Sequence, residues 1–360
     1  MILTILLFLL ILSLLVFVHE LGHFLVARAC GMHVEEFGFG FPPRAFGVRK
    51  GKTLYSLNWI PIGGFVRIKG ENGQDRLDED SFAAKKPWQR FLVLIAGVAM
   101  NFLLAAVLFS VGFLFGLPAM IDRELPAQAT IRESRLAIMD VVEGSPAARA
   151  GIVSGDAIVS LNGEVMVETE TARAYLAEHG SSGVDVTVKT ADAETKTVRV
   201  TSELLNGTST TGIGVAFIRT GLVSYPLLYA IPQGFMAVAR MTQDIFASFG
   251  ALIMGAFGGQ NMSASLSGPV GIAVMTGQVA DMGFVYLLQF AAILSINLGV
   301  INILPFPALD GGRIFFLAIE KLRGKSANQR FEVAVNNIGF LMLMALILFV
   351  TVKDVIHLFK

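Results

Sequence analysis

A single cysteine, Cys30, stands in 360 residues. An intrachain disulfide and a multi-cysteine zinc site are therefore excluded, and thiols say nothing about the redox compartment. Charge is scarce too. Only 16% of the residues are Asp, Glu, Lys or Arg, against roughly 25% in soluble domains. The 28 basic and 28 acidic residues cancel, which removes the field that a nucleic-acid partner would need. No Lys or Arg precedes the first apolar run. That run lacks the basic start of a cleaved signal peptide, although Ala27-Arg28-Ala29 has small-x-small spacing. No sequence pattern recurs, so repeat architectures are excluded as well.

Long apolar runs are what the chain has in quantity. Four segments could span a bilayer: 1–27, 91–117, 284–304 and 338–352. A span needs about 20 residues, so the fourth must borrow neighbours. The stretch 226–258 is apolar but broken by Pro232 and several glycines, and it carries Arg240 and Asp244. It reads as an interfacial or re-entrant helix, with a fifth span as the alternative. Basic residues crowd 44–90 and 313–330. Both loops are expected on the cytoplasmic side, which puts 118–283 outside.

Two intervening stretches have their own structure. "FGFGFPPRAFGVRKGKTLYSLNWIPIGGFVRIKG" alternates apolar and polar residues and is rich in aromatics. It predicts β-hairpins over about 35–70, associated with the membrane interface, followed by a solvated loop over 71–86. "GSPAARAGIVSGDAIVSLNG" (144–163) reads as turn, short helix, Gly-Asp turn, strand and Asn-Gly hairpin turn. Two alternating strands, "VDVTVKT" and "TKTVRVT", follow it. The expected fold is a polytopic α-helical membrane protein with about four transmembrane helices, a membrane-associated β-hairpin region and an inserted α+β domain. The first half covers 1–118, the inserted domain 125–218, a linker 219–283 and the second half 284–360.

One cluster of residues carries chemistry. His19-Glu20-Leu21-Gly22-His23 interrupts the first apolar run, which resumes at Phe24. On a helix, i and i+4 share a face, so His19 and His23 can hold one metal while Glu20 stays free as a base. An ionised side chain at a helix centre costs about 2.5–3.5 kcal/mol on insertion scales, so Glu20 needs protein or water around it. The plain alternative is that 19–23 is the polar end of a span. A third ligand should come from another span. Asp310 follows Pro305 and Pro307 and precedes Gly311-Gly312. Such broken backbone is tolerated at membrane depth only where it is buried or lines a cavity. As a lone residue, Asp310 would instead be an N-cap for the helix after it. Asn297 and Asn302 could bind a substrate backbone or an oxyanion, or could join helices.

H-E-x-x-H in a first span with "NILPFPALDGG" (302–312) in a later one resembles the site-2 protease family of intramembrane zinc metalloproteases. "LSGPVGIAVM" (266–275) and the aromatic hairpin stretch look like its bacterial regulated-intramembrane-proteolysis branch. The resemblance implies one Zn2+ per chain on His19, His23 and Asp310. It implies Glu20 as catalytic base and Asn302, with Asn297, near the substrate or transition state. The implied substrate is a single-span regulatory membrane protein, such as an anti-sigma factor, already trimmed outside the membrane. Segment 144–163 is similar to bacterial PDZ domains, which the family carries between its second and third spans. "TGIGVAF" (211–217) looks like a PDZ peptide groove, with Gly212, Ile213, Gly214 and Val215 able to take a peptide C-terminus. Well-known proteobacterial members carry two such modules, and this chain has one. The implied location is a bacterial inner membrane, with the PDZ-like domain extracytoplasmic. Two rival readings stand beside it: a non-catalytic PDZ-bearing membrane scaffold, which binds partners through that domain and has no need of Glu20, and a metal transporter, which uses the same ligands in transit.

Overall fold

A computed structural model describes residues 2–121, 125–190, 194–205, 211–257, 268–324 and 329–358. The chain opens with α1 (Ile2–Ala29), β1 (Val34–Lys50), β2 (Thr53–Ile68) and α2 (Pro87–Phe115). There follow β3 (Leu117–Met120), β4 (Thr130–Val141), α3 (Pro146–Arg149), β5 (Ala157–Leu161), β6 (Glu164–Val165) and α4 (Thr169–His179). Then come β7 (Val184–Lys189), β8 (Thr195–Val200), β9 (Glu203–Leu204), β10 (Thr211–Gly212) and β11 (Val215–Ser224). The rest is helical: α5 (Leu227–Phe257), α6 (Pro269–Met282), α7 (Phe284–Ile303), α8 (Asp310–Arg323) and α9 (Gln329–Leu358). Contacts divide the chain into two compact units, Met1–Val111 with Ile231–Lys360, and Gly112–Ala230.

Among the described residues, four helices are long and apolar enough to cross a membrane: Ile2–Ala29, Pro87–Phe115, Phe284–Ile303 and Arg330–Ile356. The fourth is longer than the apolar run alone predicts, because 329–337 joins the same helix. Of the stretch 226–258, Leu227–Phe257 forms one helix that continues through Pro232. Two residues on, Gly234 meets α2 closely: a Cβ there would lie 2.2 Å from Ser110 Oγ. Of "LSGPVGIAVM", residues 266–267 lie outside the described residues, as does Lys325 of the second basic loop.

In the first unit β1 and β2 each double back. Residues 36–39 pair with 54–57 on one side and with 64–67 on the other, so 64–68 becomes an edge. The alternation predicted strands here but not this folding back. The sheet leans on α1 through aromatics, with Phe37 stacked on Phe24 at 4.7 Å and tilted against Phe17 at 5.3 Å. Its far end turns Phe46 and Trp59 outward, a surface suited to lipid. Ser13 ties α1 to β2, donating to the Pro61 carbonyl at 2.7 Å and accepting from the Gly63 amide at 3.3 Å. The segment 71–86 is less solvated than expected. Ser81 and Phe82 are buried, and Phe82 joins the core of α1 and the sheet. At its rim the Lys69 amine is held above its ordinary pKa by Asp78 and Asp80, and Asp80 is held below its own by Lys69.

The second unit is built on a seven-stranded sheet in the order β3-β11-β4-β5-β7-β8, with β6 beside β5. Its core holds Leu136, Ile138, Ile152, Ile158, Val186 and Phe217. The predicted turn chemistry is present. Ser145 caps α3 by accepting from the Ala148 amide, and Pro146 opens the helix. Asn162 and Gly163 both have positive φ, at 49° and 86°, as a tight hairpin turn requires. The unit begins and ends beyond 125–218 because β3 pairs with the far half of β11, Met120 opposite Thr220.

Candidate active site

His19 and His23 lie on the buried face of α1, 6% and 7% exposed. Asp310 is the first residue of α8, and no side chain caps that helix. The N-cap alternative therefore does not describe it. The loop before it is folded tightly enough to need both glycines. A Cβ on Gly311 would lie 2.2 Å from the Ile303 carbonyl oxygen, and one on Gly312 would lie 2.3 Å from that of Phe306. From α9, Asn336 Oδ1 accepts the Ala308 amide at 3.1 Å. These contacts carry Asp310 to the histidines.

Three ligand-type atoms converge. His19 Nε2 and His23 Nε2 are 3.1 Å apart, and Asp310 Oδ2 lies 3.0 Å from the first and 3.4 Å from the second. Zinc bonds of about 2.0–2.1 Å set tetrahedral ligands about 3.3 Å apart, so the triangle has the right size. Its chemistry fits as well. His23 Nδ1 donates to the Val93 carbonyl at 2.7 Å, which leaves Nε2 as a lone pair. Asp310 Oδ2 is buried without a hydrogen-bond partner. A lone pair and a carboxylate oxygen directed at one point repel each other unless a proton or a metal cation lies between them. The residues present therefore fit a metal ion, and the three form a ligand cluster.

The neighbourhood is built around this cluster. A Cβ on Gly97 of α2 would lie 2.4 Å from His23 Nε2 and 2.8 Å from His19 Nε2, so only glycine leaves room. Glu20 sits beside the cluster, and its Oε2 accepts the amide of Val66, on the sheet edge, at 3.1 Å. A cavity of about 260 Å³ is lined by His19, Glu20, His23, Val66, Asn302 and Asp310 among others. Arg313, also on its wall, is ion-paired with Glu71. Asn297 is not on that wall, and its amide donates to the Ile293 carbonyl one turn back at 3.0 Å.

The model of peptidase family M50 matches residues 7–346. The chain belongs to peptidase family M50. A Clostridium perfringens protein that carries a zinc-metalloprotease name is 38% identical over 346 residues, 96% of each chain. The regulator of sigma-W protease RasP of Bacillus subtilis is 32% identical, covering 99% of both. The zinc metalloprotease RasP of Geobacillus kaustophilus is 32% identical over 97% of this chain and 96% of its own. This M50 chain is thus an intramembrane zinc metalloprotease, as the two motifs implied, and the scaffold and transporter readings fall away.

Sequence reading missed what α2 contributes: the Val93 carbonyl, Gly97 and Asn101. The signal was a glycine and an asparagine four residues apart in an otherwise apolar helix. It also missed the Val66 amide on Glu20, since a backbone contact leaves no trace in residue type.

Proposed function

We propose that this M50 protease cuts the transmembrane segment of a regulatory membrane protein, such as an anti-sigma factor, after a first cut outside the membrane. The observation that carries the reading is the convergence of His19, His23 and Asp310 beside Glu20 in one cavity. His19, His23 and Asp310 would hold one zinc ion. When bound, zinc lowers the pKa of a coordinated water to about 7 and polarises a carbonyl. Glu20 takes the proton from the attacking water and delivers it to the departing amide nitrogen. Its Oε2 accepts the Val66 amide, which orients the carboxylate beside the cluster. Asn302, on the cavity wall, steadies the developing oxyanion. A contact from Asn297 would first have to break its bond to Ile293.

The substrate helix must unwind, because a helical peptide bond hides its carbonyl. The 64–68 edge of the sheet can take the unwound chain as an added strand. Residues 125–218 form a PDZ-like domain whose Gly212–Val215 segment receives the C-terminus left by the first cut. Basic residues around 44–90 and 313–330 favour a cytoplasmic side for those loops, in a bacterial inner membrane, with 125–218 outside. Glu20→Gln tests the core of this. The variant keeps shape and ligands, so bound zinc should stay near one per chain while cleavage of a single-span substrate in detergent stops. Wild-type cleavage by Glu20→Gln would remove Glu20 from the mechanism.

A further inference from the structure

The helix α2 faces the ligand cluster with residues 93, 97 and 101, spaced by four and therefore on one side. Val93 receives the His23 Nδ1 proton through its carbonyl, and Gly97 leaves the space for both rings. The third residue, Asn101, is fully buried, and its terminal amide lies 3.1 Å from His19 Nδ1. The other end of that amide has no hydrogen-bond partner. The imidazole is therefore the contact that accounts for a buried amide at this position. The backbone beneath it is fixed, since Ser295 Oγ of α7 donates to the Asn101 carbonyl at 2.8 Å.

A half-turn of a terminal amide exchanges its oxygen and nitrogen, so chemistry decides which end meets the ring. With the nitrogen toward the ring, Nδ1 must be the acceptor and His19 carries its proton on Nε2. That proton would stand where the ligand lone pair is needed, 3.0 Å from Asp310 Oδ2. With the oxygen toward the ring, Nδ1–H donates to Oδ1 and Nε2 presents its lone pair to the cluster. We propose that Asn101 is the positioning residue of His19, holding it in its metal-binding tautomer by accepting the Nδ1 proton. Val93 does the same for His23, so α2 orients both rings without supplying a ligand. Partners of this kind are typically worth 10–100-fold in metal affinity.

The inference rests on the cluster being a zinc site, and the test separates the two. The full chain in detergent, freed of zinc, is titrated with Co2+ against a competing chelator, and its visible absorption is recorded. The unsubstituted chain should bind one Co2+ with a tetrahedral band, and His19→Ala should lose it. No uptake by the unsubstituted chain would overturn the cluster reading and this one together. Asn101→Leu should bind Co2+ 10–100-fold more weakly with a shifted band. Asn101→Asp offers an acceptor of the same shape and no N–H, so it should restore affinity to within a few-fold and restore the band. Unchanged affinity in Asn101→Leu, or a folded Asn101→Asp as weak as the leucine variant, overturns the proposal. Should Asn101→Leu fail to fold, 15N-histidine spectra of the metal-loaded unsubstituted chain decide. A proton on His19 Nδ1 is expected, and a bare Nδ1 refutes it.

Discussion

Replacing Gly97 by alanine should strip the chain of its metal. In an ordinary helix the change would add about 1 kcal/mol of stability. Here the new Cβ would stand 2.4 Å from His23 Nε2, where ordinary contact begins at 3.4 Å. The ring, or the helix, must give way by about 1 Å. Zinc–ligand distances tolerate about 0.2 Å, so His23 is lost as a ligand. The helix cannot retreat without stretching the hydrogen bonds that hold it, from His23 Nδ1 to the Val93 carbonyl and from Ser295 Oγ to the Asn101 carbonyl. Structural zinc sites bind with about 10–16 kcal/mol. One ligand in four is then worth about 2.5–4 kcal/mol, a loss of roughly a hundred- to thousand-fold in affinity. The loss outweighs the propensity gain severalfold. Zinc per chain across a chelator series measures it, with the lipid-side change Val107→Ala on the same helix as control. A Gly97→Ala protein that keeps wild-type zinc affinity would mean that the rings do not stand where they are described.

Asp310→Ala should lose both zinc and cleavage, in contrast to Glu20→Gln, and metal analysis beside a cleavage assay separates the two. With Cys30 replaced, single cysteines at Lys50 and Glu194 should label oppositely with an impermeant thiol reagent, and equal labelling in intact cells would end the four-span topology. The β3–β11 pair allows a clean excision: joining Met120 to Thr220, which stand opposite each other, through a two-residue Asn-Gly turn. That chain should keep zinc and cut untrimmed substrate as well as trimmed. If it binds zinc but cuts nothing, the excised domain is part of the catalytic architecture. Gly212 is the better probe of the peptide groove, since its nearest neighbours lie 4.0 Å from a Cβ, whereas one on Gly214 would strike Ser145 at 2.2 Å. Gly212→Trp should leave the domain folded and block a C-terminal peptide, read by fluorescence binding, while Gly214→Trp should lower the melting temperature.

The site was legible where a residue type had no bland reason to be present. A histidine pair and a glutamate inside an apolar run stand out because lipid rejects them. Asp310 stood out because prolines and glycines broke the helix around it. Val93 did not, and Gly97 with Asn101 gave only a faint signal, since a mostly apolar helix has no stripe to show which face turns inward. The sheet was visible as alternation, but its doubling back is set by pairing between distant segments. Turn chemistry at Ser145 and Asn162-Gly163 was readable locally. β3 was not, because Leu117–Met120 continues the apolar text of α2.

The cluster draws its ligands from the first helix and from residue 310, about 290 positions later. At about 5–20 residues per second, a ribosome releases Asp310 some 15–60 s after His23. Until then a nascent chain has two histidines and a glutamate but no complete metal cage. With His19, His23 and Asp310 as the proposed ligands, the protease would complete its metal site only after most of its own chain has been threaded into the bilayer. On the same proposal, a chain truncated before residue 310 would lack the third ligand and should neither hold zinc nor cleave.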